Sequence, residues 1–180
     1  MQGIRANRWK RIILECIPII LLAISIILDQ VSKNFYKELY LKNGQTTVID
    51  GFFYLTYTVN TGAAWSFLSD VSWAQTFFKV LTVLSLILFV FLYVYAVKNK
   101  YSWMKYSIAF TVGGTIGNFI DRLSFNGVTD FLSFVFGEYH FPVFNLADSF
   151  LVVGVIMLII HFLFLDDSGL LKKENGKNKV

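Results

Sequence analysis

Four stretches of the chain are apolar enough and long enough to cross a lipid bilayer, and they constrain the fold more than any other feature. A bilayer core of about 30 Å needs about 20 helical residues. Of the 180 residues, 56% are hydrophobic and 16% are charged, whereas soluble domains have roughly 25% charged residues. We therefore predict an α-helical integral membrane protein, a single membrane domain over residues 1–180, with transmembrane helices over 12–28, 76–97, 103–120 and 144–165.

Basic residues predict the orientation of these helices. Lys and Arg are concentrated in residues 1–11, in the short connection at 98–105 and in the tail at 166–180. Segments on the cytoplasmic side of a membrane carry such an excess. Because four spans place both ends on one side, we expect a cytoplasmic N-terminus and a cytoplasmic tail. The same rule explains the net charge of +4, so nucleic acid is not an expected partner.

The segment at 34–73 is predicted to lie outside the membrane on the opposite face. Residues 46–60 are rich in β-branched and aromatic side chains and contain the turn signal Asp50-Gly51, a composition typical of strands. We predict a small sheet of two or three strands here. A short amphipathic helix at the membrane interface is predicted to follow over 68–75.

Asp148 lies near the start of the last apolar stretch, where an ionised carboxylate is costly. At the centre of a membrane helix the cost is about 2.5–3.5 kcal/mol by insertion scales, so the side chain needs a partner, water or a function. The candidate partner is Asp130, in the second outer loop at 123–143. Two carboxylates brought together share a proton, because both cannot ionise side by side. The two residues predict the chemistry of an aspartyl dyad.

Other polar residues gather at the predicted outer ends of the helices. Asp29 and Lys33 stand four residues apart at the end of the first span, a spacing that first suggests a structural ion pair. Asn145 stands three residues before Asp148 on the same helix face, where its amide is placed to orient the carboxylate. At 1.5 Å per residue, Asp148 lies about 5 Å below the start of its helix, which is shallow enough for water to reach it.

Asn118, Asp121 and Arg122 share one face of the third span, since they stand at i, i+3 and i+4. For Asp121, a local salt bridge and helix-end cap is as well supported as a role in a site. The guanidinium of Arg122 can hold a carboxylate or a carbonyl through two donors at once. The glycine-rich run at 113–117 predicts close helix packing beside this polar face.

Other classes of function fit the sequence less well. A transporter would also place polar groups in membrane helices, but its site usually lies at the midplane between repeated halves, and the sequence contains no repeat. A purely structural subunit would not need polar motifs in the outer loops. Ser66 and Ser149 have no histidine in their sequence neighbourhood, and His140 and His161 form no metal-binding spacing with a carboxylate.

Five motifs follow one another between residues 29 and 149. They are DQVSK at 29–33, NTGAAWSF at 60–67, GGTIGNFIDR at 113–122, VTDF at 128–131 and FNLADS at 144–149. One motif alone would be weak, but the five in this order resemble the signal peptidase II family of bacterial membrane aspartyl proteases, the lipoprotein signal peptidases.

The resemblance implies that Asp130 and Asp148 are the catalytic pair of an endopeptidase. This enzyme would cleave a prolipoprotein on the N-terminal side of its diacylglyceryl-modified cysteine. Asn60 and Arg122 are then expected to position the substrate backbone. The other residues expected to bind substrate or to support the site are Gly62, Asn118, Asp121, Asn145, Asp29 and Lys33. Neither a metal nor an organic cofactor is expected.

The resemblance also implies four membrane helices, an outer sheet that cradles the substrate and a mobile arm over the site. The expected partners are lipid-modified prolipoproteins and membrane lipid, in the bacterial inner membrane with the active site at the outer leaflet. Because the substrate carries two acyl chains, the site must open sideways to lipid, and Trp65, Phe67 and Phe131 are candidates for lining that opening. A different membrane protease is the nearest alternative, although helix-embedded aspartyl proteases of other families need more spans than this chain provides.

Overall fold

A computed structural model of the protein describes residues 2–62, 68 and 71–165. These residues form helices packed side by side and an antiparallel sheet. In chain order the elements are α1 (Gln2–Asn43), β1 (Thr46–Ile49), β2 (Phe53–Asn60), α2 (Ala74–Lys98), α3 (Ser102–Phe125), β3 (Val128–Phe136), β4 (Tyr139–His140) and α4 (Leu146–Ile160), which a π-helical segment at His161–Leu165 prolongs. The motif residues 63–67, with Trp65 and Phe67, and the predicted tail at 166–180 lie outside the described residues.

Three of these helices are long and apolar enough to cross a membrane. They are α1 over Glu15–Asn43, α2, and α4 together with its π-helical extension. Within the described residues α3, predicted as a span, does not reach that hydropathy, because the face it buries is polar and includes Lys105, Asn118 and Asp121. The chain is therefore a helical membrane protein that crosses the membrane more than once.

α3 lies against each of the other three helices, and glycine makes the closest approaches possible. A methyl group at Gly114 would collide with the backbone carbonyl oxygen of Ala147 in α4. At Gly117 it would come within 2.5 Å of the Asp29 carboxylate of α1. The predicted packing through small residues is confirmed, and it brings α1 and α4 close to the polar face of α3.

α1 is longer than the sequence predicts. Its predicted end at residue 28 is wrong, since the helix continues to Asn43 and takes in residues 34–43 of the predicted outer segment. The polar residues that suggested the end of the span, Asp29 and Lys33, are only 0% and 3% exposed. Both bond to other helices, so they mark a contact between helices and not a helix end.

The sheet has four strands in the order β1-β2-β3-β4, all antiparallel. The sheet is larger than the two or three strands predicted within residues 46–60, because β3 and β4 come from the second outer loop. The predicted turn at Asp50-Gly51 is present, with a φ of +70° at Gly51. Asn126 ends α3 in the left-handed conformation, which glycine and asparagine adopt most readily. Strand β3 thereby starts directly after α3, and its first residues, 128–131, are buried.

The predicted interfacial helix at 68–75 falls partly outside the described residues. Of the part that the structure describes, Ala74 and Gln75 already belong to α2. The separate helix remains a prediction.

Candidate active site

The start of α4 positions Asp148. Asn145 is the N-cap residue, and its side-chain oxygen accepts a hydrogen bond from the backbone N–H of Asp148 at 2.9 Å. In return, the Asp148 carboxylate accepts one from the backbone N–H of Asn145 at 3.1 Å. This capping box pairs amides that a helix start otherwise leaves unpaired. It also holds the carboxylate at the positive end of the helix dipole.

Strand β3 brings Asp130 to the same place. In the sheet, Thr58 of β2 lies opposite Asp130 and Asn60 lies opposite Val128. The Asn60 amide donates to one oxygen of Asp130 at 3.2 Å, and the Asn145 amide donates to the other at 2.7 Å. Asn145 therefore binds both carboxylates, one through its side chain and the other through its backbone N–H. The structure brings the two predicted residues together.

The environment of Asp130 favours its protonated form. Burial, with the negative charge of Asp148 as the second cause, raises the pKa of Asp130 to about 7. The hydrogen bonds from Asn60 and Asn145 and the positive charge of Lys33 lower it in part. A carboxyl group with such a pKa can hold or release a proton near neutral pH, as a general acid or base must.

Two residues of α3 reach the same carboxylates or the space beside them. The Asn118 amide donates to Asp148 at 2.7 Å. The Arg122 guanidinium lies 3.5 Å from the carbonyl oxygen of Gly62 and 5.2 Å from the ring centre of Phe78. Its buried Nε has no hydrogen-bond partner within the described residues. Arg122 therefore retains donor capacity for a bound molecule.

Asp29, Gln30, Lys33 and Asp121 form a second polar layer behind Asn118, which we call the rear cluster. Lys33 contacts the carboxylates of Asp29 and Asp121 at 2.7 and 3.3 Å, and the Gln30 amide donates to both of them. The predicted ion pair between Asp29 and Lys33 is present. Asp121, by contrast, takes its ion pair from α1, and in the described part of the chain it has no salt bridge within its own helix.

The rear cluster also holds the two segments that carry the predicted catalytic residues. Asp29 accepts a hydrogen bond at 2.9 Å from the backbone N–H of Ala147, the residue before Asp148. Asp121 accepts one at 2.9 Å from the backbone N–H of Thr129, the residue before Asp130. Both carboxylates of the rear cluster thus anchor the backbone next to the dyad.

A groove of about 1330 Å³ opens beside the dyad. The predicted site residues that line it are Asn60, Gly62, Asn118, Arg122, Asp130 and Asp148. From this polar end the groove runs between α2 and α4, where apolar side chains such as Phe78, Phe89 and Val152 line it. Phe131, predicted at the lateral opening, is instead 1% exposed and stacks on Tyr36.

The chain is similar to known proteins over most of its length. A family model described as Signal peptidase (SPase) II matches residues 21–164. The chain belongs to this family. A lipoprotein signal peptidase of Maridesulfovibrio salexigens is 38% identical over 145 residues, which cover 79% of this chain and 92% of the relative. One of Bacillus pumilus is 43% identical over 140 residues, which cover 78% and 88%.

Solved structures share the fold of this signal peptidase II family member. A bacterial membrane enzyme determined by the in meso method at 2.3 Å resolution is 31% identical, with a TM-score of 0.67 over 91% of this chain and 93% of that chain. Another, at 1.9 Å, is 33% identical with a TM-score of 0.68 over 82% and 92%. Membership of the signal peptidase II family makes the chain a protease, and the groove beside the dyad is its candidate active site.

Some residues of this protease site were not predicted from the sequence. Gln30 gave no signal beyond its place between Asp29 and Lys33. The α2 side of the groove, including Phe78 and Leu81, has the same apolar pattern as a surface that faces lipid. His140, which the sequence did not assign to the site, also lines the groove.

Proposed function

We propose that this protein is an aspartyl endopeptidase that removes the signal peptide from diacylglyceryl-modified prolipoproteins, cleaving on the N-terminal side of the lipidated cysteine. The observation that carries the proposal is the position of Asp130 and Asp148. Both bind Asn145, both line the polar end of the groove, and each also has an amide donor of its own. The names of the similar relatives supply the substrate class.

The two carboxylates act as one acid–base unit. One of them, ionised, takes a proton from a water molecule whose oxygen attacks the scissile carbonyl carbon. The other, protonated, donates a hydrogen bond to the carbonyl oxygen and later protonates the leaving amine. The raised pKa of Asp130, due first to burial and then to Asp148, supports a singly protonated pair near neutral pH.

Asn60 and Arg122 position the substrate backbone in this mechanism. Asn60 binds Asp130 from β2, so it fixes the carboxyl group relative to a peptide lying along the sheet. Arg122 has a donor left over at the polar end of the groove and is placed to bind a substrate carbonyl through its planar guanidinium. Asn118 and Asn145 orient the dyad itself.

The apolar part of the groove accounts for a lipidated substrate. It extends between two helices that are long and apolar enough to span a membrane, and lining residues such as Leu81 and Val152 are 47% and 53% exposed. Acyl chains can therefore enter sideways. With α3 as a fourth span and the Lys and Arg distribution described above, both termini are cytoplasmic and the dyad lies at the outer leaflet of the bacterial inner membrane.

Cleavage of a purified prolipoprotein, with and without its diacylglyceryl group, tests the proposal in a gel-shift assay. Wild type should cleave only the lipidated form. Asp130→Asn and Asp148→Asn should each lose on the order of 10³-fold in rate, because each removes a group that transfers a proton in the reaction. Asp50→Asn is the matched control, since Asp50 lies exposed in the turn after β1.

Two outcomes would contradict the proposal. Substantial cleavage by either dyad variant would remove that aspartate from the chemistry. Cleavage of neither form by well-folded wild type would remove the proposed function itself, and ion or solute flux in liposomes would then be measured.

A further inference from the structure

Lys33 uses all of its hydrogen-bonding capacity inside the protein. An ammonium group has three N–H donors and no acceptor. Its Nζ lies 2.7 Å from Asp29, 3.3 Å from Asp121 and 3.0 Å from the side-chain oxygen of Asn118. The residue is 3% exposed, so these three side chains are the surroundings of the charge.

The contact with Asn118 decides which way that amide points. Because the ammonium group can only donate, the Asn118 oxygen must face it, and the Asn145 amide also donates to this oxygen, at 3.1 Å. The Asn118 nitrogen is therefore turned the other way, where it donates to Asp148 at 2.7 Å. A rotated amide would place an oxygen against the Asp148 carboxylate.

Lys33 itself has no contact with the substrate space. Asn118 lines the groove, whereas Lys33, Asp29 and Asp121 do not. Lys33 can therefore act on catalysis only indirectly: through Asn118, through the backbone that Asp29 and Asp121 anchor, or through the electrostatic field.

We propose that Lys33 is a positioning residue of the protease, which acts by fixing the Asn118 amide so that its nitrogen donates to Asp148. The inference rests on the proposed function and adds to it a role distinct from the structural ion pair with Asp29. It predicts that loss of Lys33 slows the chemical step without weakening substrate binding.

The charges around Lys33 set the expected effect on pH dependence. Lys33 faces Asp29 on its own helix and Asp121 on α3. On the groove side of Asn118 lie the charged residues Asp148 of α4, Asp130 of β3 and Arg122 of α3. Burial and Asp148 raise the pKa of Asp130, while the charge of Lys33 lowers it. Without that charge the pKa of Asp130 rises, so the pH–rate profile should move to higher pH.

The experiment compares Lys33→Met with Lys105→Met on the lipidated precursor. Lys105 is the matched control because it is also buried and also joins α1 to α3, through Glu15 at 2.6 Å. Lys33→Met should lower kcat by roughly 10- to 100-fold, by analogy with outer-shell partners of active-site ligands, leave KM unchanged and shift the pH profile. Lys105→Met should leave both the pH profile and KM as in wild type.

A double-mutant cycle with Asn118→Leu shows whether the effect passes through Asn118. If it does, Lys33→Met/Asn118→Leu loses no more kcat than Asn118→Leu alone, because the second change removes the path of the first. Independent, multiplying losses would overturn the proposal. An unshifted pH profile in Lys33→Met would overturn it as well.

Folding is controlled separately. If Lys33→Met does not accumulate as folded protein, the cycle is run with Asp29→Asn/Lys33→Met, in which neither charge of that pair remains without its partner. Failure of the proposed function appears differently, as absence of lipid-dependent cleavage in wild type. Wild-type cleavage with unaffected Lys33 variants would refute only the role of Lys33.

Discussion

Two lysines in the described part of the chain are buried, and each joins α1 to α3. Lys33 and Lys105 are 3% and 4% exposed. Lys33 bonds two carboxylates and an amide, whereas Lys105 forms a distal ion pair with Glu15, whose side chain is 46% exposed. The two places are about 24 Å apart along α3, since 121 minus 105 gives 16 residues between Asp121 and Lys105.

The difference shows how similar contacts between the same helices can serve separate purposes. In the distal ion pair only Lys105 is buried, because the Glu15 side chain stays 46% exposed and keeps much of its solvation. The rear cluster instead buries three charged groups, and removing one of them leaves another without its partner. Such an arrangement is costly for packing alone, and its contacts lead to the backbone and the amide that hold the dyad.

The largest effect on stability is expected from Asp130→Asn. The pKa of Asp130, raised by burial and then by Asp148 from 3.8 to about 7, means that the folded protein keeps a proton which the unfolded chain releases. The free energy of unfolding should therefore fall as pH rises from 3.8 to about 7, by up to about 4 kcal/mol. In Asp130→Asn this fall should disappear, so the variant gains stability relative to wild type as pH rises.

Thermal unfolding in detergent between pH 4 and pH 8 checks this expectation. The control is Asp50→Asn, whose side chain is exposed and should leave the wild-type curve unchanged. If the stability of wild type and of Asp130→Asn changed in parallel with pH, ionisation of Asp130 would not be unfavourable in the folded protein, and the prediction would be wrong.

The residue pairs of the site were predictable because a charged side chain in an apolar stretch is costly and needs a partner. Asp148 in an apolar stretch required a partner, and the motif around Asp130 supplied one on the same predicted face of the membrane. The spacing of Asn145 and Asp148 predicted contact on one helix face, and the capping box provides it. Short-range geometry and the cost of burying charge carried these predictions.

The rest depended on long-range contacts that a spacing does not contain. Asp29 and Lys33 suggested the end of a membrane span, because the sequence does not show that α3 and α4 cover them. The sequence predicts only a loop where strand β3 forms, because the partner strand β2 lies about 70 residues earlier along the chain. The apolar side of the groove was invisible because side chains that face substrate and side chains that face lipid share one composition.

A smaller loss of stability is expected from substitutions at two glycines that let helices approach closely, Gly117 beside the rear cluster and Gly154 beside Thr111. An added methyl group at Gly117 would meet Asp29 and Ala147, and one at Gly154 would meet Thr111. Gly117→Ala and Gly154→Ala should each destabilise the fold by about 1–3 kcal/mol, as overpacking does. Only Gly117→Ala should also lower kcat beyond the loss of folded protein, because it displaces the rear cluster. Equal kcat values per folded molecule would show that the rear cluster tolerates displacement.

The smallest effect is expected at the distal ion pair. Glu15→Gln removes a charge from a partner of Lys105 that is 46% exposed, yet leaves an oxygen to accept the hydrogen bond. The loss should be about 1 kcal/mol or less, a fall in Tm of roughly 2–4 °C at most for a chain of this size. The pH–rate profile of cleavage should not move, because a charge about 24 Å along the helix is screened at ordinary ionic strength. A shift like that expected for Lys33→Met would mean that the charge of the distal ion pair also affects the pKa of the dyad. Lys33 and Lys105 would then differ only in the size of their effect on catalysis.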